Sequence, residues 1–194
     1  MIQPTPISTK RLFDFSLAVF ASLLLLLPMI GLGLLVHFSS SGPILYWSDR
    51  VGRRNRIFRM PKFRTMQTDT PAVATHLLAN PDQFLTPIGS ILRRSSLDEL
   101  PQLWSILRGD MSFVGPRPAL FNQYDLVALR TRHGVQVLMP GLTGWAQVNG
   151  RDELPIPEKV ALDVEYLHRM SFVMDMRILI LTVLKVMRRE GVAH

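Results

Sequence analysis

Residues 15–38 form an almost unbroken apolar run, FSLAVFASLLLLLPMIGLGLLVHF, and nothing else in the chain restricts its fold so severely. Crossing a bilayer takes roughly 20 apolar residues, and this run has that length. It is too long for a cleaved signal, and no small-x-small site with a polar start follows it. Pro28 sits mid-run with Gly31 and Gly33 just beyond. A proline removes one helical hydrogen bond and bends the helix there. Lys10 and Arg11 precede the run, and Arg50, Arg53, Arg54, Arg56 and Arg59 follow it. Flanks rich in Lys and Arg stay in the cytoplasm. With both flanks on that side the segment must enter and return, so the sequence predicts a re-entrant helix-break-helix. A straight crossing is the alternative.

The turn residues Ser39-Ser40-Ser41-Gly42-Pro43 end the run. They divide a membrane-inserting segment, residues 1–46, from a globular domain, residues 47–194. The domain reads as α/β, mainly α with short β elements. A short strand is expected at 44–47, a tight turn at 52–55, and loop with short helix over 67–84. Helices are expected at 122–133 and 157–170. In the latter, Val160, Leu162, Val164 and Leu167 oppose Lys159, Asp163 and Glu165. A last helix, capped by Asp175, sets an apolar face beside Lys185, Arg188 and Arg189. It suits an amphipathic helix lying on anionic lipid, or else a core helix with a basic tail. The net charge of +7 calls for an anionic partner: nucleic acid, an acidic membrane surface or a phosphorylated substrate. A 47% hydrophobic composition favours the membrane over nucleic acid. There is no cysteine, no Walker loop, no GxGxxG after a strand, no HExxH and no zinc spacing, and the histidines are scattered.

The chemistry concentrates in residues 93–118, RRSSLDELPQLWSILRGDMSFVGPRP. Two adjacent carboxylates, Asp98 and Glu99, lie among Arg93, Arg94, Arg108 and Arg117. Such a pair can hold a divalent cation, or one member can attack phosphorus, while guanidiniums hold phosphate oxygens. Ser96-Leu97-Asp98-Glu99 fits an S-x-x-E capping box, and Pro101 moves the proper helix start to itself, with a stop at Gly109. A capping role alone would also explain Asp98 and Glu99. In Gly115-Pro116-Arg117-Pro118 the two prolines fix the backbone around one arginine, which lowers the entropy of aiming it at an anion. Within Lys62-Phe63-Arg64-Thr65-Met66, Lys62 is the best candidate for a substrate phosphate. Residues 140–151, PGLTGWAQVNGR, read as a Gly-rich loop, a short strand and an N-G turn, with Trp145 available to stack on a base or sugar.

The apolar segment with its mid-run proline, KFRTM, RRSSLDELPQLW, GDMSFVGPRP and PGLTGWAQVNGR, in that order, closely resemble the bacterial sugar transferase family, the monotopic phosphoglycosyl transferases. The resemblance covers residues 10–189 and matches the small catalytic-unit form. It implies transfer of a phosphosugar from a UDP-sugar to polyprenol (undecaprenyl) phosphate, giving polyprenyl-diphosphate-sugar and UMP. By that likeness Asp98 is the nucleophile of a ping-pong route through an aspartyl-phosphosugar, and Asp98 and Glu99 hold Mg2+. Arg117 grips a phosphate, and Lys62, Arg93 and Asp175 match further substrate-binding positions. The implied setting is the cytoplasmic face of the bacterial inner membrane, on anionic headgroups, without nucleic acid; a homodimer is left open. The family's kink follows a Ser-Pro pair, whereas this chain has Leu27-Pro28. The rival readings are a non-catalytic membrane-anchored basic protein and a metal-dependent lipid-phosphate hydrolase.

Overall fold

The computed structural model describes residues 7–71, 80–150 and 154–188. The apolar run forms a single helix, α1 (Ile7–Ser39), long and apolar enough to cross a membrane. It continues through Pro28 rather than breaking there, so the expected helix-break-helix is not seen. One missing hydrogen bond leaves the ladder on either side intact. Along α1, Ala18, Ala21, Leu25, Met29, Leu32 and Val36 recur every three or four residues and pack on the rest of the protein. Leu12, Phe20, Leu23, Leu24, Leu27 and Leu34 on its other faces are exposed.

Both ends of α1 are fastened to the same domain. At the start, Lys10 pairs with Asp175 at 2.5 Å and the Asp14 carboxylate accepts from the Phe113 amide at 3.2 Å. Arg11 donates to the carbonyls of Ile106 and Leu107 at 2.5 and 2.7 Å. Those carbonyls lie in the last turn of helix α3 (Leu103–Arg108), where a cation suits the helix dipole. At the other end, Val36 is buried with Phe63 and Leu92. The Arg64 guanidinium donates to the carbonyls of Ser40, Ser41 and Pro43, each at 2.7 Å.

The chain then forms an antiparallel hairpin, β1 (Leu45–Val51) and β2 (Ile57–Phe63), in register from Leu45 opposite Phe63 to Val51 opposite Ile57. The expected division between residues 46 and 47 therefore falls inside β1. The hairpin turn is where the sequence placed it, with Arg54 and Asn55 at positive φ. After α2 (Gly89–Arg94) comes a 3-10 turn, Leu97–Gln102, and then α3. The expected capping box does not form. Ser96 is left-handed (φ 56°) and makes no side-chain cap bond. The tighter turn absorbs Pro101, α3 begins only at Leu103, and Gly109 (φ 89°) ends it as expected.

Strand β3 (Ser112–Val114) pairs in parallel with β4 (Gly141–Thr143). Between them lies α4 (Tyr124–Arg132), and after them α5 (Trp145–Asn149), α6 (Ile156–Arg169) and α7 (Phe172–Arg188). In place of the expected Gly-rich loop, short strand and N-G turn, this stretch is strand then helix. The side chain that caps α7 is Ser171, which accepts from the Met174 amide at 3.2 Å, rather than Asp175. The main core gathers Ile106, Met111, Phe113 and Val114 with Tyr166, Met174 and Ile178 under the first half of α1.

Three glycines fix the loop after β3. An ideal Cβ on Gly115 would lie 2.2 Å from the Met139 carbonyl oxygen, on Gly141 2.1 Å from the Gly115 nitrogen, and on Gly144 2.1 Å from the Gly115 oxygen. Backbone crosses directly on backbone here, so these glycines meet the chain itself and not a ligand. Gly115→Ala is expected to lower stability by about 2–3 kcal/mol, read as a fall in the thermal unfolding midpoint of the detergent-solubilised protein. An unchanged midpoint would show that the crossing yields without cost.

Candidate active site

The acidic pair lies where hairpin, turn and the loop after β3 converge. Lys62 is the penultimate residue of β2, and the 3-10 turn carries Asp98 and Glu99 up against that strand. The Lys62 ammonium donates to Glu99 Oε1 at 2.7 Å and lies 3.7 Å from Asp98 Oδ2. Arg117 Nη2 reaches the same Glu99 Oε1 at 2.8 Å. Three segments far apart in sequence thus bring four charged side chains within ion-pairing distance. The Asp98 side chain is 9% exposed and that of Glu99 17%.

Arg93, in the last turn of α2, is the fifth member. Its Nε donates to Thr65 Oγ1 at 3.0 Å and its Nη2 lies 3.2 Å from Met66 Sδ. Burial lowers its pKa while the Asp98 charge opposes that fall. Of the other arginines singled out, Arg108 pairs with Asp110 and is 57% exposed, and Arg94 is exposed. Asp175 belongs to a different cluster: it accepts from Lys10 and from the Tyr166 hydroxyl at 2.6 Å. Burial and the Asp175 charge together push the Tyr166 pKa far up. In this geometry Asp175 ties α1 to α7, and Arg64 of the KFRTM group ties the end of β2 to the turn after α1.

The two carboxylates are not equivalent. Burial alone would raise Glu99, but Arg117 and Lys62 outweigh it and hold its pKa well below the carboxylate range. Burial raises the Asp98 pKa, with Lys62, Arg93 and Arg117 opposing and the Glu99 charge adding to the rise. Neighbouring carboxylates whose environments push their pKa values apart are suited to different tasks. Glu99 is a fixed anion. Asp98 is desolvated, more loosely held, and kept ionisable by cations on several sides.

Trp145, offered by the sequence for stacking, is already engaged. Its indole N–H donates to Glu165 at 2.8 Å, and the Arg177 guanidinium lies 5.4 Å from its ring centroid. A contact that local sequence does not signal is the buried pair of Arg130 on α4 and Asp163 on α6. Both read as polar faces of separate helices, and only their meeting in space joins them to Arg117. Among the described residues, no group of three or more His, Asp or Glu is placed to hold a metal. Mg2+ does not require one, since it binds through one or two carboxylates plus substrate phosphates and keeps several waters. The hard oxygens of Asp98 and Glu99 fit that donor set.

Known proteins match this chain along most of its length. The profile of the family described as bacterial sugar transferase matches residues 6–189. The chain is 40% identical over 190 residues to the uncharacterized sugar transferase EpsL of Bacillus subtilis, covering 94% of this chain and 89% of that protein. It is 40% identical over 194 residues to an undecaprenyl-phosphate glucose phosphotransferase of Komagataeibacter xylinus, covering 90% of this chain and 35% of that protein. It is 39% identical over 189 residues to a UDP-glucose:undecaprenyl-phosphate glucose-1-phosphate transferase of Xanthomonas campestris, covering 93% of this chain and 39% of that protein. The chain therefore spans nearly all of the first relative and little more than a third of the other two.

Proposed function

The chain belongs to the bacterial sugar transferase family, and from that premise we propose that it is a phosphoglycosyl transferase that moves a sugar phosphate from a UDP-sugar to polyprenol phosphate at a membrane. The observation that carries this reading is the inequality of the acidic pair. Glu99 is clamped by Lys62 and Arg117, while Asp98 is buried beside cations and bonded to none of them as closely.

In this reading Asp98 attacks the sugar-bearing phosphorus. A carboxylate-oxygen–phosphorus bond forms, and the bridging bond to the inner phosphate breaks with its electron pair leaving on UMP. The phosphate oxygen of polyprenol phosphate then attacks the same phosphorus, expels the Asp98 carboxylate and regenerates it. No proton need move at Asp98 in either step. Arg117 and Arg93 hold phosphate oxygens, and Lys62 keeps both carboxylates oriented and ionised. Mg2+, held by Asp98 and Glu99 together with the diphosphate, would withdraw charge from the phosphoryl oxygens.

The anchor suits the acceptor, whose phosphate lies at the membrane surface while its tail stays in lipid. Both ends of α1 contact one domain, and both flanks are basic, which supports a monotopic seat on the cytoplasmic face. The exposed apolar side chains of α7, Phe172, Val173, Ile180 and Val183, extend the same apolar surface.

Purified protein given UDP-glucose and other UDP-sugars, Mg2+ and undecaprenyl phosphate should release UMP and yield a lipid-diphosphate sugar. Omitting Mg2+ should stop both. UMP release with the sugar phosphate passing to water would instead mark a hydrolase, and no release from any UDP-sugar would mark a binding protein.

A further inference from the structure

We propose that the buried Arg130–Asp163 pair is a positioning device for Arg117, acting on the reaction through that arginine without touching substrate; the inference rests on the reading that Arg117 serves the site. Arg130 Nε and Nη2 reach Asp163 Oδ2 at 2.9 and 2.7 Å, with the side chains 10% and 1% exposed. The third nitrogen, Nη1, donates to the Arg117 carbonyl at 2.8 Å. An ion pair this deep costs desolvation, and an apolar pair of similar size often packs as well. What an apolar pair cannot do is donate to a carbonyl.

The Arg117 carbonyl sits in a loop that is held at every step. The Pro116 carbonyl accepts from the Gly141 amide at 2.9 Å, and the Pro118 carbonyl accepts from Arg50 Nη1 at 3.2 Å. The middle carbonyl has Arg130. The prolines on either side have no N–H and restrict the backbone. Three donors from three other segments thus fix the peptide planes from which the Arg117 side chain reaches Glu99. Asp163 orients the guanidinium, the guanidinium sets the Arg117 backbone, and that backbone aims the side chain.

The test is a double-substitution cycle with Arg117, read by single-turnover UMP release from a UDP-sugar and by thermal unfolding. Arg130→Lys keeps a cation opposite Asp163, but one ammonium does not span Asp163 and the carbonyl together. It is expected to retain cooperative unfolding and to lower the rate on the order of tenfold to a hundredfold, the scale of a small misplacement. Arg130→Met with Asp163→Leu removes the charges with little change in packing and is expected to give the same loss. In an Arg117→Ala background, either change should alter the rate by less than about twofold, because residues acting as one unit are non-additive. Equal fractional losses in both backgrounds, or native turnover in the folded Arg130 variants while Arg117→Ala is impaired, would overturn the inference alone. Native turnover by Arg117→Ala would overturn the reading of the site, and the inference with it.

Discussion

Asp98→Asn is expected to abolish transfer, lowering UMP release on the order of 10^4-fold or more, the scale seen when a covalent nucleophile is removed. The amide is nearly isosteric and keeps the packing around the 3-10 turn, so thermal unfolding should change little or improve. Burial works against the charge at this position, and removing the charge relieves it. The same burial raises the Asp98 pKa, and the proposed attack needs the ionised carboxylate. In the metal-free protein the Asp98 carboxyl should therefore keep its proton to a higher pH than an ordinary aspartate, read by carboxyl-carbon NMR, with the charge present above that raised value and lost as pH drops through it. Mg2+ at the pair should lower that pH, because a dication favours the ionised form. A metal-free Asp98 titrating at or below the ordinary aspartate value would contradict the burial argument. Retention of native turnover by the asparagine variant would remove Asp98 from the chemistry.

Glu99→Gln should be less damaging but still severe, on the order of 10^2- to 10^3-fold, for a different reason. One oxygen of Glu99 receives both Lys62 and Arg117. A neutral amide leaves two cations with no charge between them. Lys62 then turns toward Asp98, already 3.7 Å away, and makes it a poorer nucleophile. Arg117 loses the contact that points it into the site. The loss of a shared carboxylate should also lower stability, by about 1–3 kcal/mol, discounted because the Arg117 side chain is one-third exposed. If Glu99 is one of two carboxylates on Mg2+, as proposed, the residual rate should respond only weakly to the ion. A glutamine variant with native turnover and native Mg2+ dependence would show that Glu99 is only a structural counter-ion. Lys62→Met tests the same cluster from the other side and should resemble Glu99→Gln more than Asp98→Asn.

The parts of this site that are legible in the sequence are those where residue type alone restricts the chemistry. Adjacent carboxylates among arginines, a single arginine between prolines, and a lysine in a compact basic group all point to phosphate, and Lys62, Asp98, Glu99 and Arg117 do meet. The long apolar run also announces α1. What stays hidden depends on partners far along the chain. Strand β2, IFRMPKF, has its cations Arg59 and Lys62 three residues apart and contains Pro61, so no period-two alternation marks it as a strand until β1 pairs with it. The S-x-x-E pattern at Ser96 is a genuine cap signal, but Pro101 favours a tighter turn, and Ser96 becomes left-handed to enter it. Gly141 and Gly144 look like a ligand-binding loop because a sequence cannot say what a bare backbone approaches; here it is Gly115. Asp175 and Arg64 carry charges that any phosphate enzyme could use, and only the folded chain shows Asp175 paired with Lys10 of α1 and Arg64 bonded to the turn after α1. Arg130 and Asp163, 33 residues apart, gain meaning only when α4 and α6 pack.

The proposed covalent route is tested by trapping the enzyme between its two half-reactions. Protein incubated with a UDP-sugar and Mg2+, without polyprenol phosphate, should gain the mass of one sugar phosphate as UMP is released. Peptide mapping should place the adduct on Asp98, and adding undecaprenyl phosphate should discharge it. Stoichiometric UMP release with unmodified protein, or an adduct on any residue other than Asp98, would contradict the account.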